Sequence, residues 1–253
     1  MELTFLGTGT SQGIPMIGCD CGVCRSEDPR DTRTRTSAVI SLNGHNILID
    51  ATPELRIQCL RNDVRRLDAV LITHTHADHI FGLDDVRRFN QLQDQVLDLY
   101  ADTDHLRCLE RIFSYTHVGN NGNNKDLPRF HFRTVNGAFD LFGQRVLPLR
   151  LPHGWDEVLG FRIGPLAYCT DVSEIPSEVV EALRGVAVLV LGALRPDPHP
   201  KHLSIGQAVE VAQAIGAKQT WFVHMCHHVC HREQEDALPN GIRLAYDGLR
   251  LAL

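Results

Sequence analysis

The sequence predicts an α+β protein in which sheet layers are covered by helices. Strand-like and helix-like segments alternate from end to end, and they come as hairpins and βα units, an order that packs sheets against helices. With 253 residues and 43% hydrophobic side chains, the chain can bury roughly 70–75% of its unfolded surface without covalent staples. No internal repeat, low-complexity tract or linker-like stretch interrupts it, so a single domain over 1–253 is expected.

Each element has its own justification. Residues 2–6 read as a strand that runs into a Gly/Thr/Ser loop at 7–13. Residues 37–42 and 46–49 form a hairpin around Asn43-Gly44, a strong turn dipeptide. A helix is predicted over 52–61, with Thr52 as cap and Pro53 at its first position. A short apolar strand at 69–72 leads directly into a His-rich loop. Further helices are predicted at 84–93, 104–115, 177–183, 205–215 and 233–238, and strands at 144–149, 166–169, 186–191, 221–223 and 243–246. The Gly/Asn-rich stretch 120–127 reads as a surface loop.

Composition narrows the function classes. The net charge of −6 gives no general attraction to nucleic acid, so no long polynucleotide partner is expected. The longest apolar stretch, 186–194, is far below the roughly 20 residues of a membrane span and reads as a buried strand. Residues 1–6 carry Glu2 where a signal peptide has basic residues. A cytoplasmic location without membrane association is expected. There the eight cysteines stay reduced and act as metal ligands or core residues rather than a disulfide framework.

The most informative segment is Thr73-His74-Thr75-His76-Ala77-Asp78-His79. Buried His and Asp side chains need partners, and a cluster of them fits no ordinary core, whereas a metal resolves the conflict. In an extended loop His74 and His76 point the same way. Asp78 and His79 follow the turn and can face a second metal. A solvated His-rich loop is the alternative, disfavoured by so specific a spacing.

This His-x-His-x-Asp-His run resembles the signature of the metallo-β-lactamase superfamily. Later segments resemble its further motifs in the right order: Leu151-Pro152-His153-Gly154, Tyr168-Cys169-Thr170-Asp171 and Phe222-Val223-His224. The resemblance implies an αββα sandwich with two metals at one edge between the sheets. It implies His74, His76 and His153 as one ligand set and Asp78, His79 and His224 as the other, with Asp171 shared. Mixed imidazole and carboxylate ligands suit zinc, manganese or iron. Two such ions about 3.5–4 Å apart can lower the pKa of a bridging water toward about 7. Asp50 matches an early Asp of the superfamily and is expected to orient a ligand His, with capping of the following helix as the alternative.

Cys19, Cys21 and Cys24 stand at C-x-C-x-x-C spacing and can wrap one tetrahedral zinc if a fourth ligand comes from elsewhere. Candidates are Cys226, His227, His228, Cys230 and His231. The opening from Phe5-Leu6-Gly7-Thr8-Gly9-Thr10 through Cys24 resembles the PhnP family, phosphodiesterases of the carbon–phosphorus lyase pathway that hydrolyse a cyclic ribose phosphate. A more distant resemblance is to the pyrroloquinoline-quinone biosynthesis protein of the same superfamily. The PhnP resemblance implies a structural zinc completed by His227, three residues after His224. Cys59, Cys108 and Cys169 lie in apolar patterns and are expected in the core.

Phosphodiesterases of the superfamily carry an extra His between the last two motifs, which contacts the phosphoryl oxygen or protonates the leaving group. His202 matches that position, with His199 as competitor, and Lys201 and the helix opening at Ser204 add positive potential. His202 and Asp78 are thus the expected catalytic residues. Arg33, Arg35 and Asn90 are candidate contacts for phosphate or ribose, with surface charge as the alternative. The expected function is hydrolysis of small, including cyclic, phosphodiesters by two divalent ions, with one structural zinc beside them. Alternatives are hydrolysis of a lactam, lactone or thioester on the same metals, or a non-catalytic metal-binding accessory role. Relatives tend to dimerise, which allows a homodimer, although no dimer-specific feature stands in the sequence.

Overall fold

The computed structural model describes residues 1–116 and 124–253; residues 120–123 of the expected surface loop lie outside the described residues. The first half of the chain supplies β1 (Glu2–Gly7), β2 (Ser37–Leu42), β3 (His45–Ile49), β4 (Ala69–Leu71), β5 (Leu97–Ala101) and β6 (Phe130–Thr134). The second half supplies β7 (Phe139–Leu141), β8 (Gln144–His153), β9 (Asp156–Ile163), β10 (Leu166–Cys169), β11 (Val188–Gly192), β12 (Gln219–Val223) and β13 (Ile242–Leu244). A last strand, β14 (Arg250–Ala252), returns to pair with β1. Two sheets result among the described residues, in the orders β14-β1-β2-β3-β4-β5-β6 and β13-β12-β11-β10-β9-β8-β7.

Strand alternation builds the layers. In β2 and β3, Ala38, Ile40, Ile47 and Ile49 enter the core between the sheets, while Val39 and Leu48 face outward. In β10 and β11, Leu166, Tyr168, Val188 and Val190 face the same inner core, and Ala167, Cys169, Leu189 and Leu191 face out. Helices cover both outer faces. α1 (Leu55–Arg61), α2 (Ala77–Ile80), α3 (Arg87–Gln93) and α4 (Thr103–Ile112) lie on the first sheet through Leu55, Ile80, Phe89 and Leu109. On the second sheet, α5 (Ser177–Leu183) and α6 (Ile205–Ile215) pack through Leu183, Ala208 and Ile215, and α7 (His231–Ala237) packs beside β13. This is the expected αββα sandwich. No helix among the described residues is long and apolar enough to cross a membrane.

The Asn43-Gly44 turn has φ of 50° and 80°, the two positive values that a two-residue hairpin turn takes. The helix expected from residue 52 begins only at Leu55, because the Thr52 hydroxyl accepts the Glu54 N–H at 3.2 Å and donates to Gln58, closing a turn of its own. The helix expected over 84–93 opens as a 3₁₀ turn, Leu83–Val86. The strand expected at 144–149 runs on to His153 against β9, which the sequence reading missed. Gly160 interrupts the β-pattern of β9, yet the register requires it: a Cβ there would stand 2.7 Å from Leu151 Cδ1.

Candidate metal centre

Each predicted donor stands where a strand ends. β4 delivers Thr73, His74 and His76, and the short α2 that follows carries Asp78 and His79. β8 ends on His153, β10 is followed by Asp171, and β12 by His224. Asp50, Asp171 and His224 hold φ of 60°, 53° and 62°. These left-handed values are costly for side chains other than glycine, and they turn each group off its strand into the site.

The structure brings the predicted donors together. One donor atom from each of His74, His76 and His153 lies within 4.8 Å of the others, and the same holds for Asp78, His79, Asp171 and His224. Asp171 also falls within that distance of His153 and His202, so it reaches toward both sets. The His224 Nε2 is 3.1 Å from Asp171 and 3.6 Å from Asp78, and the His79 Nε2 is 3.2 Å from Asp78. Neither buried nitrogen makes a hydrogen bond among the described residues. Lone pairs of this kind, converging on carboxylates, are the arrangement that a divalent cation satisfies.

Electrostatics agree. Burial works against ionisation of Asp171, but the His224 and His79 imidazoles outweigh it and hold the carboxyl well below the usual range. Asp78 is lowered likewise, against burial, chiefly by His79. Burial and the neighbouring His79 push His74 well down, so it stays a neutral ligand type.

Supporting groups fix the orientation. Asp50 Oδ2 lies 2.7 Å from His79 Nδ1, and its carboxylate accepts the Thr73 N–H and hydroxyl, both at 2.8 Å. It therefore orients a donor His rather than capping a helix. The His153 Nδ1 meets the Lys201 carbonyl at 2.9 Å, which leaves Nε2 for the site. The Thr170 hydroxyl donates to Asp171 at 2.7 Å.

The cysteine loop also closes as the sequence suggests. His227 Nδ1 lies 3.1, 3.6 and 3.8 Å from the sulfurs of Cys19, Cys21 and Cys24. A tetrahedral zinc with Zn–S of about 2.3 Å and Zn–N of about 2.0 Å needs donors roughly 3.5–3.8 Å apart, so the four residues fit one. The Cys24 N–H lowers the Cys21 thiol toward thiolate, whereas burial pushes Cys24 up to about 11. His228 instead stacks on His227, and His231 opens α7.

His202 sits over the centre. Its ring lies 4.8 Å from both His153 and His224, and its Nδ1 is 3.9 Å from Asp171. His199 stands one ring further out, 5.1 Å from His202, beside a cavity of about 250 Å³ that Thr10, Arg195 and His228 also line. Two expectations fail. Arg33 is fully buried and pairs with Asp31 at 2.9 Å, tying the N-terminal loop to the Cys226 carbonyl. Asn90 is buried and bonded to the Arg129 main chain. Neither reaches a substrate, because each completes a buried contact. Arg35 is partly exposed and pairs with Glu54. Cys59 and Cys169 are core residues as expected, but Cys108 is only half-buried at the edge of α4. Sequence reading missed the Lys201 carbonyl and the Thr170 hydroxyl; a main-chain acceptor leaves no trace in residue type.

The model of the beta-lactamase superfamily domain matches residues 45–225. A diphosphatase of the PhnP family has a crystal structure 42% identical, covering 99% of this chain and 96% of that one, with a TM-score of 0.92. The zinc-bound PqqB of Methylobacterium extorquens shares the fold at 20% identity and a TM-score of 0.82, over the full length of both chains. An octanoyltransferase of Porphyromonas gingivalis is 38% identical over 252 residues, 98% of this chain and 51% of that protein. The chain thus spans about half the length of this curated relative. The chain belongs to the beta-lactamase superfamily and, within it, to the PhnP family.

Proposed function

We propose that the protein is a dinuclear phosphodiesterase acting on small, including cyclic, phosphodiesters. The observation that carries the reading is the place of His202, stacked 4.8 Å from the His224 ring with its Nδ1 3.9 Å from Asp171. In this reading His74, His76 and His153 would hold one divalent ion and Asp78, His79 and His224 the second, with Asp171 as a donor available to each set, and Cys19, Cys21, Cys24 and His227 would hold a structural zinc. Zinc, manganese or iron bound there would polarise the phosphate and activate water at neutral pH.

The remaining work falls to the chain. Asp50 and the Lys201 carbonyl keep two imidazoles aimed. Burial, reinforced by His224, pushes His202 down to about 3, so at neutral pH it is a neutral imidazole. It is therefore better suited to donate an N–H to the phosphoryl oxygen than to hand a proton to the leaving group. The cavity beside His199 gives room for one substituent of the phosphate. The PhnP-family diphosphatase supports a second reading in which the bond cleaved is the P–O–P link of a diphosphate.

The test assays metal-loaded protein on bis(p-nitrophenyl) phosphate, a nucleoside diphosphate, nitrocefin and a thioester. Turnover of the diester is expected. Turnover confined to nitrocefin or the thioester would discard the reading, and turnover confined to the diphosphate would replace it with the second. His202→Ala should keep its metal content and lose roughly 10²–10³-fold in kcat, as for removal of one donor to a developing oxyanion. The loss should be equal for p-nitrophenolate and alkoxide leaving groups; a smaller loss with p-nitrophenolate would instead show that His202 protonates the leaving group.

A further inference from the structure

Trp155 is 97% exposed, a rare condition for the side chain with the largest apolar surface. It stands two residues after His153, at the tip of the β8–β9 hairpin whose last register pair is His153 with Asp156. Gly154 takes a φ of 67°, the position where a two-residue turn of this hand places glycine.

The tip is anchored, not loose. The Gly154 N–H donates to the Ser173 hydroxyl at 3.2 Å, and Ser173 in turn bonds the Pro152 carbonyl. The stem of Lys201 lies so close over Gly154 that a Cβ would stand 2.7 Å from it, and the Lys201 ammonium reaches Asp156 at 3.2 Å. Lys201 also holds His153 through its carbonyl and directly precedes His202. The same few contacts thus aim a donor histidine and fix the backbone that carries an uncovered indole two residues beyond that histidine. Two residues of chain span at most about 7 Å, so the Trp155 backbone lies within that distance of His153.

We propose that Trp155 is the stacking surface for a nucleobase on the retained side of the scissile phosphate, which makes nucleotide esters the substrate class of this centre. The inference rests on the phosphodiesterase reading above. An aromatic face accepts any base by stacking and needs no hydrogen-bond code, and the loss of one such stack weakens binding by roughly 5- to 100-fold. Trp155 touches the base and not the reacting atoms, so its effect belongs in KM.

Two chromogenic diesters with the same leaving group separate the contributions: the p-nitrophenyl ester of thymidine 5′-phosphate, and methyl p-nitrophenyl phosphate. With metal-loaded protein, Trp155→Ala should raise KM for the thymidine ester by roughly 5- to 100-fold and leave the methyl ester unchanged; Trp155→Phe should restore most of the loss. Equal losses on both esters, or none on either, overturn the proposal. A second readout does not depend on turnover. The other tryptophan, Trp221, is buried in the inner core, so quenching of exposed indole emission by thymidine 5′-monophosphate reports on Trp155. Quenching that vanishes in Trp155→Ala supports stacking even if neither ester is cleaved, in which case only the phosphodiesterase reading falls. No quenching, or an emission maximum that shifts blue with protein concentration alone because a second copy covers Trp155, overturns the stacking role.

Discussion

Asp171 carries three constraints at once. It is buried, it holds a left-handed backbone, and it is the carboxylate within reach of both donor sets. Asp171→Ala removes the charge that offsets two cations, while a left-handed alanine keeps the strain. The variant should lose activity and active-site metal together and retain the zinc of the cysteine set, as read by metal stoichiometry. Full metal occupancy would show that Asp171 is not shared. At this scale the sequence was most legible where spacing itself is chemical: a His-x-His-x-Asp-His run has few stable uses without a cation. Arg33 was misread because its partner Asp31, two residues away, gives no sign that the pair is buried together. The support of His153 by the Lys201 carbonyl was invisible for the opposite reason, since every residue owns a carbonyl.

The loop carrying Cys19, Cys21 and Cys24 has little regular structure of its own, and its sulfurs meet an imidazole more than two hundred residues away. A structural zinc contributes folding free energy directly. Cys21→Ser should therefore lower Tm by on the order of 5–10 °C. Because His227 lies three residues past His224, the same change should weaken metal binding at the active site. Cys59→Ser, a buried change on α1, should leave zinc content intact. Wild-type zinc content and Tm in Cys21→Ser would show that the loop holds no zinc. The elements with clean patterns, such as β2, β3 and α6, were legible, α6 with Ser204 at its start, to which the structure adds a capping box with Gln207. β5, β6, β7 and β9 were not. They carry Asp, Arg, His or Gly inside the strand, and only pairing with neighbours decides their state.

The whole molecule is held by contacts that join its ends. Asp247, between β13 and β14, accepts the Thr8 hydroxyl at 2.8 Å and both the N–H and hydroxyl of Thr34, at 2.8 and 2.7 Å. Burial pushes its carboxyl up to about 6 in spite of these bonds. The unfolded value is near 3.9. Between the two, the folded state binds more protons, so this group's contribution is fully present below about pH 4 and is lost as pH rises through about 6. Asp247→Asn cannot titrate. Relative to the variant, the wild type should lose on the order of 2–3 kcal/mol of unfolding free energy between pH 4 and 7. Parallel pH curves for the two proteins would place the Asp247 value near that of the unfolded chain.

The order of the donors along the chain has a consequence for its synthesis. His74, His76 and the three cysteines leave the ribosome well before His224 and His227. Neither the Asp78, His79, Asp171 and His224 set nor the cysteine set with His227 exists until the stretch after β12 has emerged. Capture of metal by either set thus follows synthesis of both sheets' donor loops, and a product broken off before His224 completes neither of them.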